Sequence, residues 1–80
     1  MCRNITTLRG LEPKVTDEEI ELAARQYVRK VSGVRTSSAR TETTLERAIE
    51  AIAHATRELL DELPARLQPP TTLPPSRRPR

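Results

Sequence analysis

The 80-residue sequence has no Phe and no Trp, and only one Tyr, one Cys, one His and two Gly. Each shortage closes off a class of structure. With Tyr27 as the sole aromatic residue, a core must come from Leu, Ile, Val and Ala. That suits helix on helix better than sheet on sheet. A single cysteine, Cys2, forbids a disulfide within the chain. Cys2 and His54 are the only soft ligands, against the four that a closed zinc site takes. No structural metal and no cofactor is therefore expected. No run approaches the ~18 apolar residues of a membrane span, and no apolar signal-peptide core follows Met1. A lone free thiol then fits a reducing cytoplasm.

What is present is charge and proline. Charged residues make up 31% of the chain and the formal net charge is +3, which permits an anionic partner without requiring one. Six of the seven prolines lie between Pro64 and Arg80. That stretch has few apolar residues to offset the entropy of ordering, so residues 64–80 are expected to be a disordered, Pro/Arg-rich tail. About sixty residues remain to fold. At ~1.5 kcal/mol of ordering cost per residue, such a core comes out near zero. Disulfide and metal being excluded, a second copy of the chain is the expected staple.

Periodicity divides residues 1–63 into an arm (1–15), a helix (16–32), a loop (33–41) and a second helix (42–63). Gly10 and Pro13 break up the arm, which carries Ile5, Leu8 and Leu11 to lay on the body near Leu22. Thr16 to Glu19 is a capping box, and Ile20, Ala24, Tyr27 and Val31 recur as one apolar stripe flanked by Ala23 and Val28. Arg29 and Lys30 suit the last turn, and Gly33 supplies the left-handed stop. The second helix has two legal caps, Thr41 and Thr43. It carries a seam at Leu45, Ile49, Ile52, Thr56, Leu59 and Leu63, widened into a face by Ala48, Ala55 and Leu60, and Pro64 ends it. The fold class is all-α: an extended N-terminal arm and an antiparallel two-helix hairpin, expected to pair into a four-helix bundle, with a disordered C-terminal tail.

Met1-Cys2-Arg3-Asn4-Ile5, Leu8, Pro13, Thr16, Glu19-Ile20, Ala23-Ala24, the block Gln26-Tyr27-Val28-Arg29-Lys30-Val31-Ser32-Gly33 and, more loosely, Leu45-Glu46-Arg47-Ala48 form a pattern. Over residues 1–63 this pattern resembles a small bacterial family known as domain of unknown function 2277. After Gly33 that family has an aromatic residue and Lys-Pro-Ser, where this chain has Val34-Arg35-Thr36-Ser37. The resemblance implies a bacterial source and no particular activity. It directs attention to Cys2-Arg3-Asn4 and to the segment from Arg29 to Gly33.

Four groups of residues could carry function. Arg29, Lys30, Arg35 and Arg40 gather at the bend with the hydroxyls of Ser37, Ser38 and Thr41 and the opening amides of the second helix. Arginines at a helix N-terminus make anion sites, and a solubilising loop is the plainer alternative. Cys2 would stand beside a free α-amine once Met1 is removed, a pairing able to do thiol or metal chemistry. No base or oxyanion site accompanies it, so no catalytic residue is assigned and an inert thiol is the plainer reading. His54 lies between Glu50 and Glu58 on the polar face, where surface decoration is commoner than a metal site. Ser32-Gly33-Val34 resembles the turn of a helix-turn-helix, but Arg29 stands where that motif needs a small residue. The function expected is a non-enzymatic interaction or oligomerisation module with a basic bend, its first partner a second copy of itself. The alternatives are binding of nucleic acid or an acidic protein by the bend and tail, and thiol or metal chemistry at Cys2.

Overall fold

The computed structural model describes residues 4–36, 38–64 and 69–79. Two helices, α1 (Asp17–Ser32) and α2 (Ala39–Glu62), pack against each other, and a one-turn 3-10 helix, η1, spans Pro75–Arg77. No strand occurs among the described residues. The hairpin is antiparallel. Arg57 near the end of α2 bonds Asp17 at the start of α1, and Arg25 in mid-α1 bonds Glu46 in the first half of α2.

Helix α1 begins at a reciprocal cap. The Glu19 amide donates to Thr16 Oγ1 and the Thr16 amide donates back to Glu19 Oε1. Gly33 closes α1 at φ +74°, its N–H donating to the Arg29 carbonyl. The apolar pattern puts the start of the second helix at residue 42, but α2 begins at Ala39, with Ser38 as its cap. The Ser38 amide donates to Thr41 Oγ1 at 3.0 Å, so Thr41 serves inside the first turn and is not itself the cap. Sequence alone admits Thr41 and Thr43 as caps because Ser, Thr and Asp all satisfy the same orphan amides.

The core is narrow. Ile20, Ala24 and Val28 of α1 meet Ile49 and Ala53 of α2, with Leu8 and Leu11 of the arm laid over them. Partly buried Val15, Leu45, Ala48, Ile52, Leu60 and Leu73 surround this cluster. The expected α1 stripe is corrected at its C-terminal half. Val28 is 5% exposed, whereas Tyr27 is 48% and Val31 66% exposed. Tyr27 lies about 100° round the helix from Val28. Val31, three residues on from Val28, lies about 60° off the same line. The α2 seam departs in the same way, with Leu59 and Leu63 exposed and Leu60 turned inward. Thr56, the polar seat of that seam, donates its hydroxyl to the Ile52 carbonyl at 2.7 Å.

Both termini cover the hairpin. In the arm Leu8 and Leu11 are buried, but Ile5 and its expected seat Leu22 each stay more than 40% exposed. The arm is tied by its Asn4 amide, which donates to Gln26 Oε1, and by Arg9, which donates to the Pro64 carbonyl. The described part of the C-terminal segment, residues 69–79, lies on the body. Pro70 and Pro74 are buried and Leu73 packs on the core. Composition gives this stretch little to bury, and three apolar residues spaced without a period leave no pattern to detect. One atom of this layer is uncompensated: the Thr6 hydroxyl is buried without a hydrogen-bond partner.

The molecule is thin, 44 × 31 × 17 Å, with an accessible surface of 6333 Å². A compact monomer of this mass exposes about 4,900 Å². Among the described residues Ile5, Leu22, Tyr27, Val31, Leu59 and Leu63 stand exposed.

Candidate anion-binding bend

The bend follows from how α1 ends. Arg29 and Lys30 occupy the last turn, where cations compensate the negative end of the helix dipole. Gly33 then reverses the chain. The Ser32 hydroxyl steadies the exit, donating to the Arg29 carbonyl and accepting the Val34 amide. The reversal sets Arg35 beside the last turn of α1. Gln26, Arg29, Lys30, Gly33 and Arg35 together line an open depression of about 350 Å³. No carboxylate of the described residues lines it.

The expected anion-binding residues divide here. Arg29, Lys30 and Arg35 share one depression and are all exposed. Ser38 and Arg40 open α2, are exposed, and do not line it. Ser37 and Cys2 lie outside the described residues. The charge of Arg29 reaches past the depression. With Arg25, whose hydrogen bonds act most strongly, it holds the Glu46 carboxyl below the usual carboxylate range. Arg25 itself is a structural cation. It spans Glu46 at 2.6 Å and Glu21 at 3.0 Å, and these partners raise its pKa. What the depression offers chemically is three exposed cationic side chains, a charge and donor set that suits a phosphate or other oxyanion.

A second, larger hollow of about 660 Å³ runs along the hairpin between α1 and α2. Asp17, Glu21, Glu46, Glu50, Arg57 and His54 rim it over a floor of Ile49 and Ala53. His54 is exposed, its Nε2 3.5 Å from Glu58 Oε1. Among the described residues no three His, Cys, Asp or Glu side chains converge as metal ligands.

The most fully engaged charged pair does not stand out in the sequence. Glu19 is 8% exposed. Its Oε2 accepts from Arg77 Nε at 2.6 Å, and its Oε1 accepts from Arg77 Nη2 at 2.9 Å. Arg77 also donates to the carbonyls of Pro13 at 2.6 Å and Lys14 at 3.1 Å. The bonds from Arg77 bring the Glu19 pKa down from 4.5 to about 2, against the opposing effect of burial and with help from Thr16. Glu19 raises the Arg77 pKa in return. From sequence, Glu19 reads fully as a capping residue and Arg77 as one of several tail charges. Nothing in spacing links residues 58 apart.

No helix among the described residues is long and apolar enough to cross a membrane. The family model of an uncharacterized conserved protein, DUF2277, matches residues 1–80, and the chain belongs to that family. No curated protein and no solved structure matches it.

Proposed function

We propose that this DUF2277 member is a non-enzymatic interaction module of the bacterial cytoplasm whose first partner is a second copy of itself. The observation that carries this reading is the state of its apolar side chains. Leu22, Tyr27, Val31, Leu59 and Leu63 are all exposed, and no described side chain is less than 2% exposed. An amphipathic hairpin with one buried line per helix is half of a four-helix arrangement. Pairing would cover the exposed seam residues of α2 and supply the burial that a core of this size lacks. Light scattering over a dilution series tests the reading. A mass that climbs from one chain toward two supports it. A constant one-chain mass opposes it.

A second reading has its own observation, the depression lined by Arg29, Lys30 and Arg35 and by no carboxylate of the described residues. It would engage nucleic acid or an acidic protein surface mainly through charge. A labelled single-stranded oligonucleotide serves as probe. Binding that falls steeply with added salt supports this reading, and no binding at low salt removes it.

A further inference from the structure

A two-helix hairpin must cover its buried line with a third layer, and here the chain's own ends provide it. Leu8 and Leu11 come from the arm, and Pro70, Leu73 and Pro74 from the C-terminal segment. Apart from the single turn of η1, this layer has no regular secondary structure among the described residues. No ladder of backbone hydrogen bonds holds it. It rests on side-chain burial and a few polar ties, namely Asn4 to Gln26, Arg9 to Pro64, and the Arg77 fork.

The fork is the strongest of these ties. One guanidinium makes four hydrogen bonds, two to the Glu19 carboxylate on α1 and two to the carbonyls of Pro13 and Lys14 at the end of the arm. It therefore staples helix, arm and C-terminal segment together at one point. Ser76, next to it, adds a 3.4 Å hydrogen bond to Glu19 Oε2. The layer also carries a cost, because the Thr6 hydroxyl is buried unpaired. Freeing the arm returns that hydroxyl to water.

We propose that the clasp between Arg77 and Glu19 is an intramolecular lock on self-association: while it is closed, the two termini occupy hairpin surface that a second copy would otherwise cover. This rests on the pairing reading above. The occupant is argued from continuity. Leu63, already exposed, lines the same depression as Leu8, Leu11 and Leu60. Lifting the arm would join Leu60 and Leu63 to Ile20 and extend the apolar seam of α2 toward its C-terminal end. A second hairpin presents the same seam, and a two-fold interface uses the same patch on both copies. Opening the lock exchanges an irregular intramolecular cover for a helical intermolecular one.

The test uses the full chain and three variants. Glu19→Gln removes the charge that Arg77 reads but keeps the capping box, since Gln also serves at that position. Arg77→Lys keeps the charge and loses the fork. Arg47→Gln, away from the clasp, controls for altered net charge. Association is followed by light scattering at neutral pH, with helix content checked by circular dichroism. Glu19→Gln and Arg77→Lys should associate at concentrations about tenfold or more below wild type, while Arg47→Gln tracks wild type. Clasp variants that associate at the wild-type midpoint would overturn the lock and leave pairing standing. One-chain mass in wild type and in helical clasp variants alike would overturn both. If Arg77→Lys loses helix content, Glu19→Gln decides. Loss of helix content in both would make the clasp a requirement of the fold and not a lock.

Discussion

Arg77 Nε donates to Glu19 Oε2 across 2.6 Å, joining the C-terminal segment to the first turn of α1. The pair is well shielded, with the Arg77 side chain 16% and the Glu19 side chain 8% exposed. Removing one member of such a pair strands the other. Arg77→Ala should lower the unfolding midpoint in urea titrations at low protein concentration by more than substitution of an ordinary surface arginine does. A change within about 0.5 kcal/mol, as for ordinary surface sites, would mean that the Arg77 bonds contribute nothing to the fold.

The same pair sets a response to acid. Glu19 has a folded-state pKa of about 2 against an ordinary 4.5. A lowered carboxyl pKa stabilises the fold fully above the unfolded value, and the contribution fades as pH falls from 4.5 toward about 2. Wild type should therefore be more stable than Glu19→Gln above about pH 5 by a constant margin. The margin should close as the pH is lowered to about 2. A margin independent of pH across that range would place the effect elsewhere than in the Glu19 charge.

Two valines in α1 test which line is buried. Val28 is 5% exposed and Val31 66%. Val28→Ser should destabilise the hairpin by about 2 kcal/mol or more, whereas Val31→Ser should stay within about 0.5 kcal/mol in the unassociated chain. Equal effects would show that α1 sits differently on α2.

These contrasts mark how far the sequence can be read. The helices, their order and the capping box at Thr16 and Glu19 follow from local chemistry, since caps and apolar spacing act within a turn or two. Gly33 likewise announces the end of α1 through its left-handed conformation. The exchange of Val31 for Val28 depends on what stands opposite in α2, and that is a tertiary fact. The start of α2 is ambiguous in sequence because Ser38, Thr41 and Thr43 are chemically similar caps. Arg77 is illegible as a partner of Glu19 because the segment carrying it has no periodicity and its docking is spelled out only in three dimensions. For the bend, the sequence gathers Arg29, Lys30 and Arg35, whose closeness follows from Gly33. It does not tell that Ser38 and Arg40 stand outside their depression.

If the bend engages polyanions, the three cations act together. Replacing Arg29, Lys30 and Arg35 by Gln should weaken oligonucleotide binding. The slope of log affinity against log salt should shrink by roughly 0.7 for each phosphate no longer neutralised on a single strand. Replacing Arg47 should leave that slope as it is. An unchanged slope in the triple variant would move any polyanion binding away from the bend.

On the proposed reading this hairpin completes itself with a second copy of the chain. The measurement that addresses it most directly is sedimentation equilibrium of the full wild-type chain at neutral pH, from micromolar to millimolar concentration. A concentration-dependent mass is expected, rising from the 9.0 kDa chain toward twice that value. A mass fixed at one chain throughout, for wild type and for Glu19→Gln alike, would contradict the claim.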